Sequence, residues 1–241
     1  MYKVDRTGRS LTKLTPKSLN ELGILERFDV EEWIEKTPDV LGEPLLILAK
    51  EFSLPSGIRV DLLALDKSAN VVVVELKRDA SGSDVEWQAT KYASYCSNLV
   101  PDEIFDALAT YAGTDRDDAR LKVEEFIDEE LDKLNQKQRI VLVAREFHSD
   151  VVSAILWLRD YDLDIKCIRL RSYVDDDGDL FLNPEVIIPL PEAHDYIERR
   201  EAKQKESGRS IRSSFSLEKG AFAETELRTH LALTLRRQSH K

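Results

Sequence analysis

Three side chains set the chemical question. Asp61 stands in an otherwise apolar run, Ile58 to Leu65, and Glu75 and Lys77 stand in another, Val71 to Lys77. If residues 66–70 form the loop between two strands, Leu65 faces Val71 and Asp61 faces Glu75. Cross-strand neighbours on one face bring their Cβ atoms about 4.5–5.5 Å apart. Lys77 lies two residues past Glu75 and points to the same side. Two carboxylates facing each other in a half-buried sheet repel, and burial penalises each charge. A cation between them removes both costs. Mg²⁺ suits such a place, being hard and served by one or two carboxylates plus water and phosphate oxygens, and Mn²⁺ accepts the same donors. The Lys77 ammonium can then hold the attacking water or offset charge on a phosphorane-like transition state. The arrangement points to phosphodiester hydrolysis. Register decides it, because a one-residue slip sends Asp61 to the opposite face. Taken alone, Glu-x-Lys is a common pairing, and an Asp at a strand end often only caps a turn.

The elements that must position these residues can be read outward from the hairpin. Ile58 to Leu65 and Val71 to Lys77 read as strands, and Leu45 to Phe52 as a short apolar strand before them. Pro16 to Leu25 reads as a short helical turn. Asp29-Val-Glu-Glu32 has capping-box spacing, predicting a helix to about Lys36, with Pro38 beyond it. Ser83 or Asp84 caps the next helix, to about Leu99. Residues 102–135 are acidic and helical in pattern, with Phe105, Leu108, Leu121, Phe126, Ile127, Leu131 and Leu134 as the expected buried stripe. Arg139 to Ala144 and Ile165 to Leu170 read as strands around a helix at Asp150 to Asp160. That unit predicts parallel pairing with a right-handed crossover. Asp175 to Asp179 reads as a turn, and Val186 to Pro189 closes the globular part. Residues 1–15 show no clear period.

Composition bounds the rest. Of 241 residues, 42% are hydrophobic and 34% charged, enough for a real core under a heavily solvated surface. The expected organisation is one domain over residues 1–198 followed by a basic linker and helix over 199–241. That tail holds 11 Lys+Arg against 5 Asp+Glu, a charge of +6, so the remainder of the net −11 chain carries −17. An acidic body counts against tight, constitutive DNA binding. Arg199, Arg200, Lys203 and Lys205 fit either a phosphate-tracking tail or a soluble linker. No apolar run is long enough to span a bilayer, Met1 to Ser10 has no apolar signal-peptide core, and Cys96 and Cys167 read as reduced core residues. A cytoplasmic protein is expected. His148, His194, His230 and His240 show no zinc-ligand spacing, and Asp175 to Asp179 lacks the distal Glu of a calcium loop.

The strings RVDLLALD (59–66), VVVELKRD (72–79) and VEWQATKYASY (85–95) resemble the nuclease domain of NucS-like (EndoMS-type) endonucleases. These are members of the restriction-endonuclease-like PD-(D/E)xK superfamily. The likeness covers about residues 20–100, and residues 139–196 are similar more loosely to some uncharacterised members. It implies an α/β fold, a mixed sheet flanked by helices. It implies Asp61 and Glu75 as metal ligands and Lys77 as the catalytic lysine. Gln88 and Tyr92 match a Gln-x-x-x-Tyr element of RecB-like relatives that orders the site and contacts DNA, and helical spacing puts both on one face. Arg78 extends the basic character beside Lys77. The superfamily adds an acid from the first helix. Glu26, Glu31 and Glu32 are the candidates, with Glu26 favoured because Glu26, Val30 and Trp33 would share a helical face. Glu51 is a further ligand or a sheet-edge charge, and no Pro precedes Asp61.

The function expected is a Mg²⁺- or Mn²⁺-dependent nuclease acting on DNA, with RNA not excluded, and two-fold cleavage would suit a homodimer. The alternative is a catalytically silent nuclease-fold module that binds nucleic acid or a protein partner in repair or defence. A third reading is a component active only with a partner.

Overall fold

The structure, a computed structural model, describes residues 1–54, 57, 59–80 and 85–189. The side chains of 26, 27, 78–80, 85 and 86 lie outside that description, as does the basic tail from 199 onward.

The chain opens with a small hairpin, β1 (Tyr2–Asp5) and β2 (Ser10–Lys13), where no helical or strand period was legible. β3 (Thr15–Pro16) then joins the main sheet, and turns rather than a helical turn follow it. A π-helical turn at Glu26–Val30 leads into α1 (Glu31–Lys36). The capping-box expectation fails here. Asp29 Oδ2 accepts from the Leu25 backbone N–H at 2.7 Å, and no side chain caps α1. The wider turn shifts the helical phase, so Val30, Glu31 and Ile34 are the residues buried.

The sheet contains β4 (Leu46–Ser53), β5 (Arg59–Leu65), β6 (Val71–Ala80), β7 (Gln138–Glu146), β8 (Asp164–Val174) and β9 (Leu180–Ile188). β4, β5 and β6 pair antiparallel, whereas β6, β7 and β8 run parallel. β8 carries antiparallel β9 on one edge. Its other edge takes β7 at the start and β3 at the end. Helices α2 (Val85–Cys96), α3 (Pro101–Ala112), α4 (Arg116–Phe126) and α5 (Ser149–Arg159) complete the fold. The expected strand-helix-strand unit is β7-α5-β8, and its strands are parallel.

Central strands covered on both faces read as continuous apolar runs, and β5 and β6 show why. Leu63, Leu65, Val71 and Val73 pack with α2, α3 and α4. Ile140, Leu142, Ile165 and Cys167 continue that face against α2 and α5. Leu62, Ala64, Val72, Val74 and Leu76 face the other way, with Val30, Ile34 and Leu41. Each Val, Leu or Ile among them contributes about 1.5–3 kcal/mol on burial. One expected core residue is misplaced: Leu121 is 55% exposed, because α4 buries Ala119 and Val123 instead. Cys96 and Cys167 are buried free thiols, both pushed up to about 12 by burial. Among the described residues no helix is long and apolar enough to cross a membrane.

Candidate active site

The hairpin loop fixes the site. Asp66 Oδ1 accepts from the backbone N–H groups of Ser68 and Asn70, each at 2.9 Å, and the Asp66 N–H donates to the Asn70 carbonyl. Ala69 takes φ 62°, closing the five-residue turn. This locks Leu65 against Val71 and Leu62 against Val74. One residue further along the same register, Asp61 stands opposite Glu75.

There the strands part. The β5–β6 ladder ends at Leu62 and Val74, and Asp61 Oδ2 accepts the Leu76 backbone N–H at 2.8 Å. The carboxylate thus takes a donor that the strand no longer does. On the other flank of β5, Lys50 pairs with Leu62 and Phe52 with Val60, which leaves Glu51 across from Asp61. Glu51 adopts φ 47°, a left-handed conformation that is costly for a long side chain, and it pairs with Arg59 at 3.1 Å. Backbone irregularity therefore concentrates around Asp61. β6 has its own irregularity just past Lys77, where the register with β7 shifts. Bulges of this kind re-aim side chains at sites.

Glu75 is 1% exposed, and its Oε1 receives Lys77 Nζ at 2.8 Å. Tyr92, on α2, is 2% exposed and accepts a hydrogen bond from Gln88 Nε2 at 2.6 Å. The Tyr92 hydroxyl is held above its usual range, first by burial. The Gln88 bond opposes this; Glu75 and Asp61 push it further up and Lys77 pulls it down. One buried hydroxyl thus senses both acids and the lysine. Asp61, Glu75, Lys77, Gln88 and Tyr92 are brought together, and Tyr92 is core residue and site neighbour at once.

The first-helix acids are placed less completely. The turn carrying Glu26 packs against β6, and α1 packs against β5. The Glu26 and Arg78 side chains lie outside the described residues. Glu31 is 3% exposed at the start of α1, whereas Glu32 is exposed. Lys50 sits near this helix. Its ammonium is held above its usual range although burial lowers it, because Glu35 at 2.9 Å outweighs the burial and Glu31 and Glu32 add to it. Among the described residues no three His, Cys, Asp or Glu side chains converge as a metal cluster. Two carboxylates still fit a hard divalent ion that takes its other positions from water and phosphate. Half-buried Asp61 and buried Glu75 supply two negative charges beside Lys77, a donor set that suits such an ion. Sequence reading gave no weight to Arg169 and Arg171, although their alternation with Ile168 and Leu170 places both on one face of a strand.

Residues 26–139 match the family model described as the endonuclease NucS C-terminal domain. Over that segment the chain is similar to the NucS C-terminal domain. A curated endonuclease NucS of Methanocaldococcus jannaschii is 33% identical over 70 residues, which cover 29% of this chain and 26% of that protein. Two solved structures are alike at TM-score 0.36. One is an EndoMS–dsDNA complex, 22% identical, covering 58% of this chain and 43% of the other. The second is a repair endonuclease from Pyrococcus abyssi, 21% identical, covering 58% and 45%. The chain therefore spans about a quarter of the curated relative and under half of these solved ones. The NucS-type match contains Asp61, Glu75, Lys77, Gln88 and Tyr92, and ends as β7 begins.

Proposed function

We propose that the chain is a divalent-metal-dependent DNA nuclease of the PD-(D/E)xK kind. The observation that carries this is the hairpin register, which sets Asp61 opposite Glu75 with Lys77 Nζ 2.8 Å from the Glu75 carboxylate. The NucS-type match over the same segment supports it. Asp61 and Glu75 would hold Mg²⁺ or Mn²⁺, with a first-helix acid completing the set. Glu26 is favoured by its spacing, and Glu31, buried at the start of α1, is the second candidate. When bound, such an ion polarises the scissile phosphate and lowers the pKa of an attacking water.

The chain's own groups do the rest. Lys77 is anchored by Glu75 and keeps its ammonium beside the reacting phosphate, where it orients water or meets charge developing on a phosphoryl oxygen. Asp61 is fixed by the Leu76 N–H, so its carboxylate needs no reorganisation to serve as a ligand. Gln88 and Tyr92 close the buried side and face substrate from α2. Arg78 and the basic tail would add phosphate contacts. Cutting both strands of a duplex would call on two copies.

The test is incubation of the purified chain with single-stranded, duplex, mismatched and branched DNA in Mn²⁺ or Mg²⁺. Cleavage that disappears in Lys77→Ala and on chelation is the expected result. Calorimetry should show Mn²⁺ binding that is lost in Asp61→Ala. A folded wild type that binds no divalent ion and cuts none of these substrates would end the proposal.

A further inference from the structure

We infer that Arg169 and Arg171 form a second phosphate subsite, gripping the backbone of a nucleic-acid strand a short step from the phosphate at Lys77. The inference rests on the nuclease reading for the position of that first phosphate. Lys77, Ala144 and Arg169 are successive cross-strand partners on β6, β7 and β8. Partners in register share a face, so Lys77 and Arg169 look out on the same side, with only the methyl group of Ala144 between them. Strand spacing puts the two backbones roughly 10 Å apart. A nucleic-acid strand carries one charge about every 3.4 Å of axial rise. The separation therefore matches about one to three phosphates. Arg171 continues the same face two residues along β8.

This end of the face is open. Ile165 and Cys167 are buried in the cluster under α5, but the Arg169 and Arg171 side chains are 24% and 41% exposed. α5 begins at Ser149, just after β7 ends at Glu146, so its positive dipole end lies at this edge too. In the absence of substrate, Glu146 and Glu185 hold the forks. Arg169 lies 3.1 Å from Glu146 and 3.4 Å from Glu185; Arg171 lies 3.5 Å and 3.9 Å from the same two carboxylates. Two arginines and two glutamates sum to zero charge. Pairs this exposed are worth little, whereas a phosphate accepting two parallel guanidinium N–H bonds is held more strongly. The glutamates therefore pre-aim the arginines and yield to phosphate. The subsite lies on strands beyond the NucS-type match, which ends at residue 139.

The test is fluorescence anisotropy of the full chain with a labelled DNA duplex and its single strand, in metal-free buffer across a salt series. Arg171→Ala should weaken binding about fivefold at physiological salt and make the slope of log K against log salt shallower by about one; the double arginine-to-alanine variant should lose about two. Glu146→Gln with Glu185→Gln should instead tighten binding about threefold, a gain that only a folded protein can show. Folded arginine variants with wild-type affinity and salt slope would overturn the subsite, as would glutamine variants that bind no tighter or a wild type that binds neither DNA. The nuclease reading fails separately: an arginine-dependent salt slope in a protein that cuts nothing with Mn²⁺ would keep the subsite and remove the catalysis.

Discussion

The two ends of the parallel strands each hold a cluster of charges, and the clusters are built on opposite principles. At the start of β6, β7 and β8, Arg139 bonds to Glu43, Asp66 and Asp164 at 2.7–2.9 Å, and Lys166 bonds to Glu43 at 2.9 Å and to the Leu41 carbonyl at 2.7 Å. Arg159 adds a contact to Asp164 at 3.5 Å. Three cations meet three carboxylates there, and every contact closes on the protein itself. Further along β6, Asp61 and Glu75 stand opposite each other by register, and Lys77 bonds to Glu75. A charge cluster that balances internally holds strands and loop together. One that sets two carboxylates facing each other has donors suited to a ligand of opposite charge. The difference teaches which of two polar networks to read as chemistry, and it shows that burial of charge alone does not decide.

Variants can break this contrast. The largest expected effect is at the acid pair. Asp61→Asn keeps an oxygen to accept the Leu76 N–H and removes one facing charge. Cleavage should fall by a factor of roughly 10² or more, while the melting temperature holds or rises. A loss of both activity and stability would make Asp61 a structural residue. At the balanced end the signs reverse. Arg139→Ala removes the cation that joins Glu43, Asp66 and Asp164, two of them partly buried, and should cost about 3–5 kcal/mol in chemical denaturation. Activity per folded molecule should stay at the wild-type level.

Acid sharpens the same contrast. The Glu43 carboxyl is pushed up by burial, but hydrogen bonds and charge from Arg139 and Lys166 outweigh this and hold it below its usual 4.5. A carboxyl depressed in the folded state contributes stability above its unfolded pKa and loses it as pH falls through the folded value. Stability should therefore decline as pH drops below about 4.5, and Glu43→Gln should flatten that decline in melts taken between pH 6 and pH 3. The smallest effect is expected at α2. Tyr92→Phe keeps the buried ring and removes the hydroxyl bonded to Gln88, so cleavage should fall only about two- to tenfold, with stability changed by about 1 kcal/mol. A loss as large as that of Asp61→Asn would move Tyr92 from positioning to direct chemistry.

Much of this was legible in the residues. The run of turn formers from Asp66 to Asn70 carries its own hydrogen-bonding groups, so the loop, the register and the facing of Asp61 and Glu75 followed from local chemistry alone. The fully apolar β5 and β6 likewise announced strands covered on both sides. The start of α1 did not, because a π turn and a capping box differ by where one carboxylate bonds, and Asp29 turned back to Leu25. The period of α4 misled at Leu121, since a short acidic helix needs only Ala119 and Val123 against its neighbours.

The sequence by itself determined the hairpin, the placing of Asp61, Glu75 and Lys77 on it and the Gln88–Tyr92 spacing, because each depends on residues close together in the chain, joined by a turn or one helical repeat. Only the tertiary structure decided that Arg139 closes on Glu43 and Asp66, that Glu31 is buried beside Lys50, and that Arg169 stands in one row with Lys77. Those relations join segments up to a hundred residues apart through parallel pairing and helix docking. No local propensity encodes the register of a parallel crossover; it is set by how two complete layers pack.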